Sequence, residues 1–362
     1  QGGYGVRVDV RAGKIAQDFA HAISQLPGHE VSAVVSRSKG RAAEFASRFC
    51  DAGAAIYESV EELGGVDAVY VATPPEQHLA CSVALLERRL PVLCEKPLAT
   101  TARDVEHLIA TARKHRTFLM EGMWTRCFPA TMKARELIDS DAIGKVVGVQ
   151  AEFGYDVANG CPASVRGDPE TGGMTYDIGI YLAEKGLLAF PSADYACARA
   201  TAAAVYGDED GVDLSVAASL RFQRKGAADE TTAGVASLMW TGIADTPETA
   251  TILGTRGAII FEAAAHVPSS LLLRERVTRT HSREKRFDFL PPRDNGHHRW
   301  NYPGSICLQY EAMAVERALL AGAIEAREWT FDDCASAHRI IHQVKADLRR
   351  NQPHAGASDW PR

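Results

Sequence analysis

A chain of 362 residues with a net charge of −6, 46% apolar and 24% charged, is long enough for two cores and has an ordinary globular composition. The mildly acidic balance gives no general attraction to nucleic acid or anionic membrane, and no segment reaches the ~18 apolar residues of a membrane span. The eight cysteines (50, 81, 94, 127, 161, 197, 307 and 334) form no C-x-x-C pair, so buried thiols in a reducing compartment are expected rather than disulfides or metal ligands. No charged-then-apolar leader pattern opens the chain, and a cytoplasmic location is expected.

Strand and helix patterns alternate from the N-terminus. Val6–Val10 reads as a strand, Ile15–Leu26 as a helix, Val31–Val35 as a strand and Gly40–Cys50 as a helix. Ser59-Val60-Glu61-Glu62 is a capping box opening a short helix. Val66–Ala72 is a strand, His78–Arg89 a helix and Leu90–Cys94 a strand. This alternation predicts a doubly wound parallel sheet, which binds ligands outside the carboxyl ends of its strands.

Four strand ends carry candidates. After the first, Arg11-Ala12-Gly13-Lys14-Ile15 places one glycine of a dinucleotide turn at Gly13, with Arg11 where a second is wanted. The helix start still offers N–H groups to a phosphate. After the second, Ser36-Arg37-Ser38 replaces the acidic residue that would bind the ribose hydroxyl of NAD. Together with Arg41 it suits a 2′-phosphate, so NADP is the expected cofactor. After the third, Thr73, Pro74 and His78 either face the cofactor or simply join strand to helix. After the fourth comes Glu95-Lys96-Pro97, where proline stops the ladder just past the lysine.

Beyond Met123 the pattern changes. A helix over Ala130–Asp139 precedes a strand over Val146–Phe153, and further alternating runs lie at Val216–Phe222, Ala233–Trp240, Thr249–Leu253, Ala258–Glu262, Leu271–Arg276 and Lys285–Leu290. These predict a large mixed sheet of hairpin-connected, mainly antiparallel strands, with a turn at Gly254-Thr255-Arg256-Gly257. Helices over Ser305–Ala321 and Thr330–Asn351 follow, then a frayed tail, 352–362. The expected division is 1–124 and 125–351. Basic residues from Arg274 to Arg286 read as a solvated hairpin edge, and His297 and His298 as loop residues.

Gly172-Gly173-Met174-Thr175-Tyr176-Asp177-Ile178-Gly179-Ile180-Tyr181 puts Asp177 and Tyr181 four apart on one helix face, either as a catalytic pair or as a buried hydrogen-bonded one. Tyr181 and Lys185 have the Tyr-x-x-x-Lys spacing of short-chain dehydrogenases. The Arg11 turn and the long second sheet disagree with that family, so Lys185 is expected on the surface.

In order and position, Ala12-Gly13-Lys14-Ile15-Ala16, Ala72-Thr73-Pro74, Glu95-Lys96-Pro97 and Asp177-Ile178-Gly179-Ile180-Tyr181 resemble the glucose–fructose oxidoreductase/inositol dehydrogenase (Gfo/Idh/MocA) family. Met120-Glu121-Gly122-Met123-Trp124-Thr125-Arg126, followed by Phe128-Pro129-Ala130, looks like its dimeric trans-dihydrodiol dehydrogenase and D-xylose dehydrogenase branch. Ala151-Glu152-Phe153-Gly154, Gly254-Thr255-Arg256-Gly257 and Tyr310-Glu311 extend the likeness.

The resemblance implies a Rossmann domain binding NADP, a C-terminal α/β domain with an open sheet that dimerises, and substrate between the two. It carries over Lys96 and Tyr181 as the catalytic pair with Asp177 beside them. Glu95 joins the cofactor contacts, and Trp124, Arg126 and Phe153 lie around nicotinamide and substrate. A free tyrosine is only ~0.1% ionised at pH 7, so a neighbouring ammonium is what would make it a base. Tyr181 is expected as proton acceptor, Lys96 as its partner or as the base itself, and Asp177 as orienter. The expected activity is NADP-dependent oxidation of a cyclic vicinal diol. D-xylose 1-oxidation is the near alternative, and a catalytically silent NADP-binding regulator the alternative of another class.

Overall fold

The computed structural model describes residues 4–9, 13–50, 53–157, 171–207, 211–226, 234–296 and 298–351. Arg11, Cys161, His297 and the 352–362 tail, each the subject of an expectation above, lie outside them.

The first unit runs β1 (Tyr4–Asp9), α1 (Lys14–Ser24), β2 (His29–Val35), α2 (Lys39–Phe49), β3 (Ala55–Tyr57), β4 (Ala68–Val71), α3 (Pro75–Glu87), β5 (Val92–Cys94), α4 (Ala102–His115) and β6 (Leu119–Glu121). Its strands lie parallel in the order β3-β2-β1-β4-β5-β6. Every residue of β4 and of β5 is buried, as expected of strands covered on both faces. Helix α1 buries Ala16, Phe19, Ala20 and Ile23, the i, i+3, i+4, i+7 stripe of an amphipathic helix. The Phe19 ring stacks on Tyr70 of β4 at 3.8 Å, a burial contributing about 1.5–3 kcal/mol. Thr101 caps α4 by accepting the Asp104 N–H at 3.1 Å. Strand order reverses between β1 and β4, which opens the ligand crevice above their carboxyl ends. The alternation therefore continues through α4 and β6, past the last strand the pattern had marked.

The second unit runs α5 (Pro129–Asp139), β7 (Val146–Gly154), a π-helical turn (Thr175–Gly179), α6 (Ile180–Ala189), β8 (Tyr195–Tyr206), β9 (Asp213–Arg224), β10 (Gly234–Thr241), β11 (Ala250–Gly254), β12 (Gly257–Phe261), β13 (Ser270–Arg276), β14 (Ser282–Asp288), α7 (Leu308–Leu320) and α8 (Phe331–Asn351). The eight strands order as β14-β13-β12-β11-β7-β10-β9-β8. All pairs are antiparallel except β7 with β10, which lie parallel because α6 and the β8–β9 hairpin intervene. That single parallel pair makes the sheet mixed and mainly antiparallel, as expected. β8 is a strand that alanine-rich Tyr195–Tyr206 did not announce, since alanine has little β propensity. β14 and the turn before it are largely exposed, as the Arg274–Arg286 charges suggested, while Leu271 and Leu273 anchor β13 in the core.

On β10, Ala236, Leu238 and Trp240 are buried on the sheet face covered by α6 and α8, whereas Val235 and Met239 stand exposed on the other. Helix α6 is buried along its whole length. Lys185 is consequently interior, not on the surface. Its Nζ lies 3.1 Å from Glu184 and 4.8 Å over the Phe261 ring, and burial pushes its pKa down. A charged pair within one helix turn reads as solvated, but here a sheet closes over it. The seven described cysteines are free thiols. Among the described residues, no helix is long and apolar enough to cross a membrane.

Candidate active site

Lys96 projects from the loop after β5, and the groups it meets come from the second unit. Its Nζ donates to the Asp177 carbonyl at 2.7 Å and to Asp177 Oδ1 at 3.1 Å, and stands 5.3 Å over the Tyr181 ring. Tyr155 donates its hydroxyl to the other Asp177 oxygen. Trp124 Nε1 donates to Tyr181 Oη at 3.1 Å. Lys96, Asp177, Tyr181 and Trp124 thus converge.

A local cause fixes Asp177. Gly173 holds φ +92°, and a Cβ there would meet Asp213 Oδ1 at 2.3 Å, so only glycine lets that carboxylate approach. Asp213 accepts the Thr175 N–H at 2.7 Å and the Lys345 ammonium at 2.7 Å, pinning the start of the π turn that carries Asp177. Such turns recur at functional sites. Asp177 therefore presents from an irregular turn and Tyr181 from the first turn of α6, rather than both from one regular helix.

Burial would lower the Lys96 ammonium, but Asp177, Tyr181 and Glu95 outweigh it and hold the pKa above its ordinary value. Burial raises the Tyr181 phenol, and the opposing effects of Lys96 and the Trp124 N–H leave it above its ordinary value. The resting pair is an ammonium and a neutral phenol. Lys96 has three N–H bonds and spends two on Asp177, which leaves one for an incoming oxygen.

The wall opposite is aromatic. Phe153 lies 5.8 Å from the Tyr181 ring and stacks on His266 at 4.4 Å. His266 Nδ1 meets the Glu248 carboxylate. Tyr155 lies two residues beyond Phe153 on the same strand-face period, so the motif around Phe153 contained its signal. His266 and Glu248 sit in loops flanking β11 and β12 and had none.

The remaining residues divide. Gly13 forms the N-cap of α1 without a side-chain cap, beside exposed Lys14 and half-buried Ile15. Ser36 is buried and accepts the Ser38 N–H at 3.3 Å, while Arg37 and Arg41 are exposed just after β2. Next to Pro74, Thr73 Oγ1 is buried at the carboxyl end of β4 with no hydrogen-bond partner among the described residues. An orphan hydroxyl and an uncapped helix start on the same rim fit a dinucleotide.

Three expected cofactor contacts are committed elsewhere. Both His78 ring nitrogens are engaged, Nδ1 by the Pro97 carbonyl at 2.9 Å and Nε2 by that of Thr73 at 2.7 Å, so it ties two strand-end loops together. Glu95 accepts from Tyr70 and from the Lys96 N–H at 3.1 Å. Arg126 donates to the Glu328 carbonyl at 3.0 Å and faces Glu184 and Asp333 at 3.4 Å each, a buried structural cation. Buried charges demand such partners, and the sequence interval between Arg126 and these acids hid them.

Two further carboxylates fasten late segments of the chain onto the first sheet. Buried Asp18 of α1 accepts from the Asn301 and Tyr302 N–H groups at 3.0 Å and from Ser305 Oγ at 2.7 Å. Glu121, ending β6, accepts from Leu98 N at 2.8 Å, His338 Nε2 at 2.8 Å, Trp329 Nε1 at 2.9 Å and Cys334 Sγ at 3.3 Å.

A Rossmann crevice whose lysine is completed by a carboxylate and a phenol from a mixed-sheet unit is the architecture of a two-part, nucleotide-dependent oxidoreductase. Residues 10–123 match the oxidoreductase family, NAD-binding Rossmann fold, and residues 131–260 match the GFO/IDH/MocA C-terminal domain. The chain belongs to the Gfo/Idh/MocA oxidoreductase family and is an enzyme. Trans-1,2-dihydrobenzene-1,2-diol dehydrogenase of Danio rerio is 33% identical over 93% of this chain and 95% of its own length. The Homo sapiens protein of the same name is 30% identical over 93% and 94%. Among solved structures, a levoglucosan dehydrogenase in complex with NADH and levoglucosan superposes with TM-score 0.79 at 19% identity, covering 96% of this chain and 98% of the other. A 3-ketoreductase from Actinomadura kijaniata, solved with NADP and TDP-benzene, superposes with TM-score 0.71 at 24% identity, covering 95% and 98%. Both structural likenesses concern the fold.

Proposed function

We propose that this enzyme is an NADP-dependent dehydrogenase that oxidises a cyclic vicinal diol, with residues 1–124 holding the dinucleotide and 125–351 closing the substrate pocket. The observation that carries the reading is the Lys96 ammonium, fixed by Asp177 over the face of Tyr181, whose hydroxyl the Trp124 indole holds in place. The aromatic faces of Trp124 and Phe153 suit a flat unsaturated ring. Exposed Arg37 and Arg41 after β2 support a 2′-phosphate on the cofactor. The names of the relatives point to the same diol class.

The nicotinamide, when bound, accepts the hydride. Lys96 gives its remaining N–H to the substrate oxygen and stabilises the alkoxide. Asp177 keeps the ammonium aimed, and Tyr181, once ionised to the phenolate beside that ammonium, takes up the hydroxyl proton in oxidation, while the neutral phenol gives a proton in reduction. Trp124 and Phe153 exclude water from the reacting carbon.

Comparing kcat/KM for a trans-dihydrodiol and for D-xylose, each with NADP and with NAD, tests the reading. The diol with NADP is expected to be preferred by at least about tenfold, and preference for xylose or for NAD overturns that part of it. Because the phenol is held above its ordinary value, oxidation should rise with pH through about 10 without an earlier plateau. A plateau near pH 8 would place the proton elsewhere.

The same reading includes a homodimer through the uncovered sheet face, where Val235 and Met239 stand exposed at 59% and 42%. A monomer mass by light scattering at micromolar concentration excludes it.

A further inference from the structure

The wall facing Tyr181 contains an imidazole to which the chemistry above gives no task. We propose that His266 is a specificity-determining residue: its Nε2 accepts a hydrogen bond from a second substrate hydroxyl, adjacent to the one oxidised, and Glu248 fixes the ring for that role. The inference rests on the dehydrogenase reading and names a feature of its substrate.

Position comes first. The His266 ring stacks on Phe153 at 4.4 Å with a 19° tilt, lies 5.9 Å from the Tyr181 ring and 6.3 Å from that of Trp124. It therefore belongs to the same aromatic box as the phenol. The backbone around it is tied at three points. Thr125 Oγ1, one residue from Trp124, donates to the His266 carbonyl at 2.5 Å. Ala265 N donates to the Glu248 carbonyl at 2.8 Å, and Val267 N to the Ala264 carbonyl at 2.8 Å.

Protonation comes next. The Glu248 carboxylate against Nδ1 only accepts, so Nδ1 carries the proton, and in that tautomer the lone pair lies on Nε2. Among the described residues Nε2 has no hydrogen-bond partner, and the side chain is 16% exposed, open on one edge. A packing role alone would be met by phenylalanine without leaving a polar atom unpaired in an aromatic wall.

Backbone strain supplies an independent observation. Glu248 has φ +57°, the left-handed region that glycine adopts freely and other residues hold only under strain. The carboxylate that positions the imidazole is thus presented from a strained residue, and His266 is the one side chain it pairs with among those described.

The geometry restricts the substrate. One hydroxyl goes to Lys96 and Tyr181, and a hydroxyl on the neighbouring ring carbon points to the adjoining wall. A diol fills both positions, whereas a mono-alcohol leaves Nε2 unpaired. A site built to hydrogen-bond a substrate group discriminates against analogues lacking it.

The experiment measures NADP-dependent kcat/KM for trans-1,2-cyclohexanediol and for cyclohexanol in the wild type, His266→Phe and His266→Gln, with thermal melts confirming that each is folded. In His266→Phe, which keeps the stacking surface, the diol should lose about tenfold more than the mono-alcohol. His266→Gln, whose amide oxygen accepts, should recover part of the diol preference. Equal losses for both alcohols, or an unchanged ratio, overturn this inference while leaving the dehydrogenase reading intact. No turnover of either alcohol or of a dihydrodiol by the wild type overturns both.

Discussion

Lys96→Met is expected to lower kcat/KM by about 10³, nearly all of it in kcat. By the usual conversion that is about 4 kcal/mol of transition-state stabilisation. Methionine keeps the length of the aliphatic stem, so packing around the β5 loop changes little. What disappears is a charge held within hydrogen-bonding reach of Asp177 and over the Tyr181 ring. Asp177 retains Tyr155 as a partner, so the variant should fold and still bind cofactor. Tyr181→Phe removes the proton carrier and leaves the ammonium, so it should lose less, about 10²-fold, together with the rise of oxidation with pH. Steady-state kinetics with NADP and a dihydrodiol read both. A Lys96→Met enzyme within tenfold of the wild type would remove Lys96 from the chemistry.

Glu121→Ala should cost about 3–5 kcal/mol of stability, a large share of the ~5–15 kcal/mol available to a folded domain. The carboxylate is 1% exposed and accepts from Leu98, His338, Trp329 and Cys334. Removing it strands several buried donors at once. Burial alone would raise its pKa, but His338, the Leu98 N–H and the Trp329 N–H outweigh burial and hold it below the ordinary carboxylate range. With the folded value depressed, the contribution is present above the unfolded value of ~4.3 and is lost as pH falls toward the folded one. Urea unfolding at pH 7 should separate wild type and variant widely, and at pH 3–4 the gap should narrow. Equal midpoints at pH 7 would show that these contacts contribute nothing.

The parts of the fold that repeat a local rule were legible. Val31–Val35, Val66–Ala72 and Leu90–Cys94 announce buried parallel strands because both faces of each are covered, so the apolar run is continuous. Lys96, Asp177 and Tyr181 were legible because each lies in a short contiguous motif, and the geometry brings all three together. What stayed hidden depends on partners distant in sequence. Strand β8 is alanine-rich and is made a strand by β9 beside it and α8 across it. Lys185 and Arg126 looked like solvent-facing or ligand-facing charges, since nothing local reveals the Phe261 ring over the first or the Glu184, Asp333 and Glu328 groups around the second. His266 sits in a loop whose meaning depends on Phe153, more than a hundred residues earlier.

The clasps at Asp18 and Glu121 also bear on how the protein is made. The sheet that begins the chain is completed by its last helices: Glu121 waits for Trp329, 208 residues further on, and for His338, 217 further on. Asp18 waits for Asn301, 283 residues further on. At ~5–20 residues per second, a ribosome needs about 10–40 s to cover the interval from Glu121 to these partners. Throughout that time the edge carboxylate of the nucleotide-binding unit lacks these partners and the faces that α7 and α8 cover are bare. Although its strands are contiguous in sequence, the unit is clasped only once residues 301–338 have been made.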